Sequence, residues 1–397
     1  MYFQVLDNKK DCYGFFYEGA LYRNSLPKGA TRTWDYSFNL DDINVDLAIL
    51  YCGGKGLADV CPEHLREDLE CASGKLKAFL RSFEIAKVSL EENCFFDLVP
   101  DRFLLEYFEL KNQITQHVFE THEKPKNYDF LKSLNLLSHR ISSQPLTLDN
   151  KIVRELSYSS AGRTLAKTIK TGRTSVKYNI FGTRTGRLST TPQSFPILTL
   201  KRELRSALVP QNDWFVELDF NAAELRTFLS LSGTKQPEED IHEWNARHIY
   251  KGDTSRDEAK QKIFAWLYNP EAQDRVLDKA YNREELLLKY WDGHYVKTPF
   301  GRKIEADRRH ALNYIIQSTT SDVFLNGALK IDELLRGRKS NIAFMLHDAV
   351  IIDYSEEDTD IFLELLGAFS QTKLGEFKTN VSAGKQLTQM EKLSWKQ

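Results

Sequence analysis

The chain has few of the features that mark a secreted, membrane-bound or zinc-stabilised protein. It holds five cysteines in 397 residues, all within the first hundred, and no Cys-x-x-Cys pair occurs. Because the number is odd and no metal spacing is visible, we expect free thiols in a reducing compartment and no structural zinc site. No stretch approaches 18 uninterrupted apolar residues, and the N-terminus lacks a basic region followed by a long apolar one. We therefore expect no membrane span, no signal peptide and a cytoplasmic location.

Two widespread enzyme signatures are also missing. Gly53-Gly54-Lys55-Gly56 does not fit a P-loop, and no Gly-x-Ser-x-Gly segment occurs, which disfavours P-loop ATPases and α/β-hydrolases. The net charge is only -2, so bulk charge does not indicate a polyanionic partner. Residues 151–210, however, contain 12 Lys and Arg against 2 Asp and Glu, a local balance of +10. Such a segment is either a solvated basic face or a phosphate-binding surface.

Length and composition favour a large globular protein. Hydrophobic residues make up 41% and aromatic residues 12% of the 397, which allows a sizeable core and several subdomains. Periodicity and turn residues predict short strands in 1–60, helices in 61–145 and hairpins or loops in 170–196. Within the helical part, Asp101 is a candidate cap. The later elements are predicted as strands 214–220, 341–346 and 349–354, and as helices 222–232, 254–269, 274–291, 304–336 and 356–370.

Two aspartates about 130 residues apart stand at the ends of apolar runs. Asp219 closes Val216-Glu217-Leu218-Asp219, and Asp348 lies in the turn of a predicted hairpin over 344–353. Taken singly, each is more often a turn or cap residue. Taken together, carboxylates held at strand ends suit Mg²⁺, which prefers oxygen ligands. Two such ions, about 3.5–4 Å apart, can activate a hydroxyl and stabilise a leaving pyrophosphate.

The helix predicted between these aspartates carries a basic and then aromatic series at a spacing of four. Arg256 and Lys260 would meet phosphates, and Phe264 and Tyr268 would meet sugar and base, because residues four apart share a helix face. A helix solvated in its first half and buried in its second half explains the pattern equally well. A second polar series, Arg309, Asn313 and Gln317, suits the edge of a nucleic-acid duplex or a water-facing helix surface.

These segments resemble, in order, the motifs of family A DNA polymerases, the group of bacterial DNA polymerase I and many bacteriophage replicases. The resemblance covers roughly residues 100–397. It rests on Thr185-Gly186-Arg187-Leu188-Ser189, on the run from Asp219 to Arg226, on Asp240-Ile241-His242, on the series from Arg256 to Tyr268, on Arg309, Asn313 and Gln317, and on His347-Asp348. It implies an α+β right-hand polymerase fold, with an antiparallel palm sheet and helical fingers and thumb.

The resemblance also implies a role for each matching residue. Metal ligands are the carboxylates of Asp219 and Asp348 and the carbonyl of Phe220, and Lys260 joins the two aspartates as a catalytic residue. The incoming nucleotide is expected to contact Arg256, Lys260, Phe264, Tyr268, Glu224 and His242, with Glu224 excluding a ribose 2′-hydroxyl and Phe264 disfavouring dideoxynucleotides. DNA is expected to contact Arg187, Arg309, Asn313, Gln317 and His347.

From the same resemblance we expect two Mg²⁺ ions, with Mn²⁺ as a substitute, and primer–template DNA and dNTPs as partners. Replication accessory proteins are candidate partners, and we expect a monomer. The chain departs from the family pattern at Ala349, where an acid is usual, and at Asn269 and Ser318, where glycines are usual. The boundaries predicted are a small N-terminal region (1–60), thumb (61–165), palm (166–250 and 301–397) and fingers (251–300).

No complete proofreading exonuclease domain is expected. The one early Asp-x-Glu, Asp68-Leu69-Glu70, lies in a charged segment that is interpreted as a helix face. Two alternatives to a DNA polymerase stay open. A single-subunit RNA polymerase shares the two-aspartate palm, although Glu224 favours deoxynucleotides. An inactive protein that only binds primer–template would fit the departure at Ala349. The resemblance implies a bacteriophage-type polymerase, which would act in the host cytoplasm if the protein is viral.

Overall fold

The structure is a computed structural model that describes residues 1–8, 12–23, 25–41, 43–90, 92–269 and 271–393. The chain forms two compact units, Met1–His139 and Arg140–Gln397, the second being described as far as Leu393. None of the helices in the described ranges combines the length and the apolar character that a membrane span requires.

The first unit begins with small sheets. Strands β1 (Phe3–Val5), β2 (Gly14–Tyr17) and β3 (Ala20–Arg23) form an antiparallel sheet, and β4 (Arg32–Thr33) pairs in parallel with β5 (Asp46–Leu47). The helices that follow are α1 (Ala48–Tyr51), α2 (Leu57–Val60), α3 (Arg66–Ile85), α4 (Phe95–Leu98), α5 (Asp101–Thr121) and α6 (Tyr128–Ser142). Short 3-10 turns lie at Phe38–Leu40 and Glu63–Leu65. The short strands predicted in 1–60 and the helices predicted in 61–145 are confirmed, except that 48–51 and 57–60 are helical where strands and turns were expected.

The apolar stripe of α5 organises the core of this unit. Its residues Phe103, Leu104 and Phe108 pack in one cluster with residues of the β1–β3 region. Ile114 and Val118 pack in another cluster with residues of α1 and α2. The helix begins at Asp101 after Pro100, which occupies the cap position without a side-chain hydrogen bond. The prediction that Asp101 caps the helix is therefore wrong; its carboxylate lies in the first turn, where it favours the helix dipole.

The expectation of five free thiols is wrong for two of them. Cys12 and Cys94 form a disulfide across 82 residues, whereas Cys52, Cys61 and Cys71 are free. An odd total says nothing against one bridge, because it requires only that at least one thiol be left over. Asp68 and Glu70 are exposed on α3, as the interpretation of that segment as a helix face predicts.

The second unit is built around a five-stranded antiparallel sheet. Its strands are β10 (Trp214–Phe220), β13 (Asn341–Leu346), β14 (Ala349–Tyr354), β17 (Thr379–Gly384) and β18 (Glu391–Lys392), in the order β13-β14-β10-β17-β18. β10 is central, so its residues have a strand on both sides. Minor pairs are β6 (Thr147–Leu148) with β9 (Leu208–Val209), β7 (Tyr178–Asn179) with β8 (Ser189–Thr190), β11 (Tyr295–Lys297) with β12 (Lys303–Glu305), and β15 (Gln371–Thr372) with β16 (Gly375–Glu376).

Helices of the second unit form an apolar cluster of their own beside this sheet. They are α7 (Asn150–Leu156), α8 (Ser160–Lys170), α9 (Ala223–Leu231), α10 (Ile241–Trp244), α11 (Arg256–Tyr268), α12 (Arg275–Ala280), α13 (Arg283–Tyr290), α14 (Arg308–Leu334) and α15 (Phe362–Ser370). A π-helical turn, Asn245–Ile249, follows α10, and 3-10 segments lie at Arg202–Ala207 and Glu356–Ile361. Phe228, Trp266 and Ile315 are fully buried where α9, α11 and α14 meet.

Three predicted helices differ in detail from the structure. The helix expected at 304–336 begins only at Arg308, because Lys303–Glu305 form β12 and Asp307 caps the helix. The helix expected at 274–291 is broken at Tyr281-Asn282, because the Tyr281 hydroxyl donates to buried Asn245 (2.6 Å) and Asn282 caps the next helix. The helix expected at 356–370 begins as a 3-10 segment and becomes α-helical only at Phe362. The three predicted palm strands match β10, β13 and β14 residue for residue.

Candidate active site

The two aspartates meet at neighbouring strand ends. Asp219 on β10 lies directly opposite Ala349 on β14, and Asp348 occupies the two-residue turn just before Ala349. On its other side, Asp219 faces Asn380 of β17, whose side-chain amide donates to the carboxylate at 3.3 Å. The sheet register therefore brings together residues that the sequence separates by about 130 positions.

Burial and mutual repulsion make these carboxylates hard to ionise. Burial raises the pKa of Asp219 to about 7, the Asn380 hydrogen bond opposes the shift, and the charges of Glu217 and Asp348 add to it. Burial also raises the pKa of Asp348, against the attraction of Arg187 and His347. A pair of partly buried oxygen ligands of like charge fits a divalent cation, which would favour the ionised forms of both. The Phe220 carbonyl at the end of the same strand completes the expected set.

Two of the five non-glycine residues with positive φ among the described residues lie beside these aspartates. Ala222, which leads into α9, has φ 51°, and His347, which precedes Asp348, has φ 55°. Residues other than glycine adopt this left-handed region rarely, and such positions cluster at functional sites. His347 is exposed in the hairpin turn, and Ala222 lies three residues after Asp219.

Glu224 and Arg187 form an ion pair next to the aspartates. The Arg187 guanidinium donates to the Glu224 carboxylate, and their side chains are 40% and 12% exposed. Burial raises the pKa of Glu224 even though Arg187 opposes the shift. A residue predicted to contact DNA thus pairs with one predicted to contact the sugar. Arg187, His347 and Asp348 also border one cavity of about 290 Å³.

A second charged group lies at the start of α10. Asp240 caps this helix and accepts two hydrogen bonds from Arg256, at 3.2 and 2.9 Å. Burial alone would raise the pKa of Asp240, but the hydrogen bonds from Arg256 and Asn221 hold it well below its usual range. His242, two residues further along the chain, is 3% exposed, and its Nδ1 has no hydrogen-bond partner among the described residues. Burial lowers the pKa of His242 to about 4, so this ring is neutral at pH 7.

The predicted series of four residues lies on one helix, α11. Ser255 and Glu258 form a capping box that starts the helix next to Arg256. Lys260 is exposed, with its ammonium 5.9 Å from the Phe264 ring centre, and Phe264 stacks on Tyr268 at 5.8 Å.

The C-terminal end of α11 borders a second cavity, of about 360 Å³, which α13 and α14 also line. The Tyr268 hydroxyl is buried without a hydrogen-bond partner in the described structure. Asn269 ends the helix and accepts a hydrogen bond from the Glu271 backbone at 3.1 Å.

The polar series on α14 runs from solvent into the protein. Arg309 is exposed, Asn313 and Gln317 are half-buried, and the Asn313 side-chain oxygen has no partner among the described residues. Ser318 is fully buried, so a serine is accommodated where the family usually has glycine. Of the 12 basic residues in 151–210, all but Arg187 and Arg205 are exposed, which leaves both interpretations of that segment open.

Sequence reasoning missed the residues that hold this site together. Arg226 is 1% exposed and donates to the Asn221, Pro237 and Glu239 carbonyls, which fastens the segment before α10 to the end of β10. Arg302 and Asp322 form a buried ion pair. Only the position of Arg226 within a matched motif could have indicated it, since nothing local distinguishes a clamp from a solvated arginine.

Comparison with known proteins gives one consistent family. Residues 101–285 match the family described as DNA polymerase family A. The chain is 26% identical over 249 residues to DNA polymerase I of Chloroflexus aurantiacus, covering 50% of this chain and 26% of that protein. It is 28% identical over 222 residues to the DNA polymerase of Mycobacterium phage D29, covering 44% of this chain and 34% of that protein. The chain therefore spans about a quarter to a third of the length of these relatives.

A solved structure shows the same fold. The chain aligns with the POL domain of Pol1 from M. smegmatis, in complex with DNA primer-template and dNTP, with a TM-score of 0.57 and 13% identity. The alignment covers 72% of this chain and 76% of that one. The α+β right-hand polymerase fold expected from the sequence is confirmed. The subdomain boundaries and the roles of single residues stay predictions.

Proposed function

We propose that this chain is a member of DNA polymerase family A, whose family model matches residues 101–285, and that it is a DNA-directed DNA polymerase. It adds dNTPs to a primer 3′-hydroxyl along a template and releases pyrophosphate, in replication or repair. The observation that carries the proposal is the sheet register that sets Asp219 beside the turn holding Asp348. Its partners are primer–template DNA and dNTPs.

The proposed cofactor is a pair of Mg²⁺ ions, with Mn²⁺ as a substitute, held by Asp219, Asp348 and the Phe220 carbonyl. When bound, they would supply the positive charge that activates the primer hydroxyl and stabilises the leaving pyrophosphate. The protein contributes rigid oxygen ligands at strand ends, which the central position of β10 fixes from both sides. Asn380 holds the Asp219 carboxylate in place.

The triphosphate is bound by residues of α10 and α11 in this proposal. Lys260 is exposed and free to neutralise the charge that develops on the phosphates or to protonate pyrophosphate. Arg256 must exchange Asp240 for a phosphate, because its guanidinium is occupied by that carboxylate. His242, neutral at pH 7, offers an N–H donor without adding charge. Phe264 and Tyr268 give the sugar and base a stacked aromatic surface.

The remaining residues select the sugar and hold the DNA. Glu224 excludes a 2′-hydroxyl, and Phe264 disfavours dideoxynucleotides. Arg187 and His347 lie beside Asp348, where the primer terminus would be, and Arg309, Asn313 and Gln317 follow the template–primer duplex along α14. Equal incorporation of dideoxy and deoxy substrates would contradict the role of Phe264.

Primer extension with Mg²⁺ and dNTPs tests the proposal. We expect extension by the wild type and none by Asp219→Ala or Asp348→Ala. Asp213→Ala is the matched control, because Asp213 is an exposed aspartate just before the other end of β10, and it should extend normally. Primer–template binding without extension would favour an inactive binding protein, and synthesis only with NTPs would favour an RNA polymerase.

Proofreading, location and assembly are further parts of the proposal. We propose that this chain does not proofread, since its one early Asp-x-Glu points to solvent from α3. Mg²⁺-dependent release of 3′ nucleotides from a mismatched primer would refute this. We also propose a monomer, with replication accessory proteins as partners, that acts in the cytoplasm, which is the host's if the protein is viral.

A further inference from the structure

A buried ion pair lies outside the residues assigned so far. The side chains of Arg302 and Asp322 are 15% and 1% exposed, and the Arg302 Nε lies 2.8 Å from both carboxylate oxygens. Arg302 follows Gly301 in the turn between β11 and β12, and Asp322 lies in the middle of α14. Burying two charges costs much of what their attraction returns, so a pair of this kind is weak evidence for stability alone.

The guanidinium of Arg302 covers the loop that carries Arg187. A Cβ atom added to Gly186 would lie 2.4 Å from the Arg302 Cζ, so a larger residue at this position would force the guanidinium to move. Gly186 also has φ 77°, a conformation that favours glycine. The Ser321 hydroxyl also donates to the Gly186 carbonyl at 2.9 Å.

Three segments are therefore joined at one glycine. Ser321 and Asp322 are adjacent on α14, and they hold Gly186 directly and through Arg302. The next residue in the loop is Arg187, whose guanidinium reaches Glu224 and attracts Asp348. A shift of the backbone at Gly186 would move the start of the Arg187 side chain by a similar amount.

We propose that Arg302 and Asp322 are a positioning pair that fixes the backbone at Gly186 and thereby aims Arg187 at the primer terminus. The effect on catalysis rests on the proposed function, but the effect on the loop does not. Neither residue touches the reacting groups; both act through Arg187.

A double-mutant cycle separates this role from general packing. In primer extension, Arg302→Lys and Asp322→Asn should each lower kcat by about tenfold or more, with little change in KM for the dNTP. In an Arg187→Ala background the same changes should cost less than about threefold, because the residue they act through is already gone. Costs that multiply fully with that of Arg187→Ala would overturn the proposal.

The matched control is another ion pair that involves α14. Arg140 of α6 pairs with Asp332, which lies ten residues beyond Asp322 on α14, and the two side chains are 28% and 12% exposed. Arg140→Lys makes the same chemical change as Arg302→Lys, and whatever small effect it has should multiply with that of Arg187→Ala. Strong coupling of Arg140→Lys to Arg187 would mean that the cycle reports loss of packing in general, and would also overturn the proposal.

Hydrogen–deuterium exchange tests the loop without any activity. Arg302→Lys and Asp322→Asn should speed amide exchange in residues 183–190, and Arg140→Lys should leave it unchanged. Unchanged exchange in the first two variants would overturn the positioning role, even if all variants polymerise. If the wild type does not extend primers, the proposed function fails, whereas the exchange experiment still decides the role of the pair.

Discussion

Replacing Arg226 by methionine should destabilise the second unit more than any surface change near the site. The Arg226 side chain is 1% exposed and donates five hydrogen bonds. Its acceptors are the backbone carbonyls of Asn221, Pro237 and Glu239 and the side-chain oxygens of Asn221 and Gln236, at 2.8–3.3 Å. Methionine keeps much of the volume but none of the donors.

The magnitude follows from the acceptors left behind. A buried polar group without a partner costs roughly 1–3 kcal/mol, and hydrogen bonds to a charged group contribute roughly 1.5–3 kcal/mol. Some of the five acceptors regain water because the 234–240 loop is partly exposed. Removing the burial cost of the guanidinium, which lowers the pKa of Arg226 to about 10, offsets part of the loss. We therefore expect the free energy of unfolding to fall by about 3–5 kcal/mol.

Urea denaturation followed by fluorescence measures this change. The midpoint should fall with an unchanged slope, since the slope reports the surface exposed on unfolding. Arg247→Met is the matched control. Arg247 pairs with Glu239 in the same loop, but both side chains are partly exposed, and its loss should cost about 1 kcal/mol or less. A loss below about 1 kcal/mol for Arg226→Met would refute the reasoning, because water would then replace the clamp.

Three further changes test the charges and the disulfide. Burial raises the pKa of Asp219 to about 7. With metal removed by EDTA, this shift contributes about 4 kcal/mol of stability below about pH 4, and the contribution is lost as the pH rises through 7. Asp219→Asn should abolish that loss in urea titrations from pH 4 to 8, and an unchanged pH dependence would contradict this reasoning. If the bulk of the Glu224 side chain excludes the 2′-hydroxyl, Glu224→Ala should raise ribonucleotide incorporation. The ratio of kcat/KM for dNTP to kcat/KM for NTP measures this change. Cys12→Ala should lower the free energy of unfolding of the first unit by about 4 kcal/mol, because the disulfide that closes a loop of 82 residues is lost. Primer extension should stay intact.

The parts of the fold that sequence could predict are those with a local cause. Strand β10 and the hairpin of β13 and β14 follow from short apolar runs, and the turn at His347-Asp348 separates two of them. Helix α11 was predictable because Ser255 and Glu258 form its capping box. These signals lie within a few residues of the structure that they specify.

The parts that sequence could not predict depend on distant partners. The break at Tyr281 exists because its hydroxyl reaches Asn245, 36 residues away. The Cys12–Cys94 bridge spans 82 residues, and neither spacing nor the total of five cysteines indicates it. The Arg302–Asp322 pair exists only once a hairpin and a long helix have come together. Each of these is a tertiary contact, for which local propensity carries no signal.

Tertiary contacts also distinguish the two aspartates from the other acids near them. Within the described residues, Glu224 has Arg187 and Asp240 has Arg256 as salt-bridge partners, whereas Asp219 and Asp348 form no salt bridge. Glu217 lies on the same face of β10 as Asp219, but its charge is opposed by Arg205 and Arg202. A cation entering this site would therefore compete with a protein counter-charge at each neighbouring acid. It would meet the least competition at Asp219, because the residues paired with it on the two adjacent strands, Ala349 and Asn380, are uncharged. The sequence could identify both aspartates from their place at strand ends, but only the pairing of the surrounding charges shows why they are the carboxylates left available.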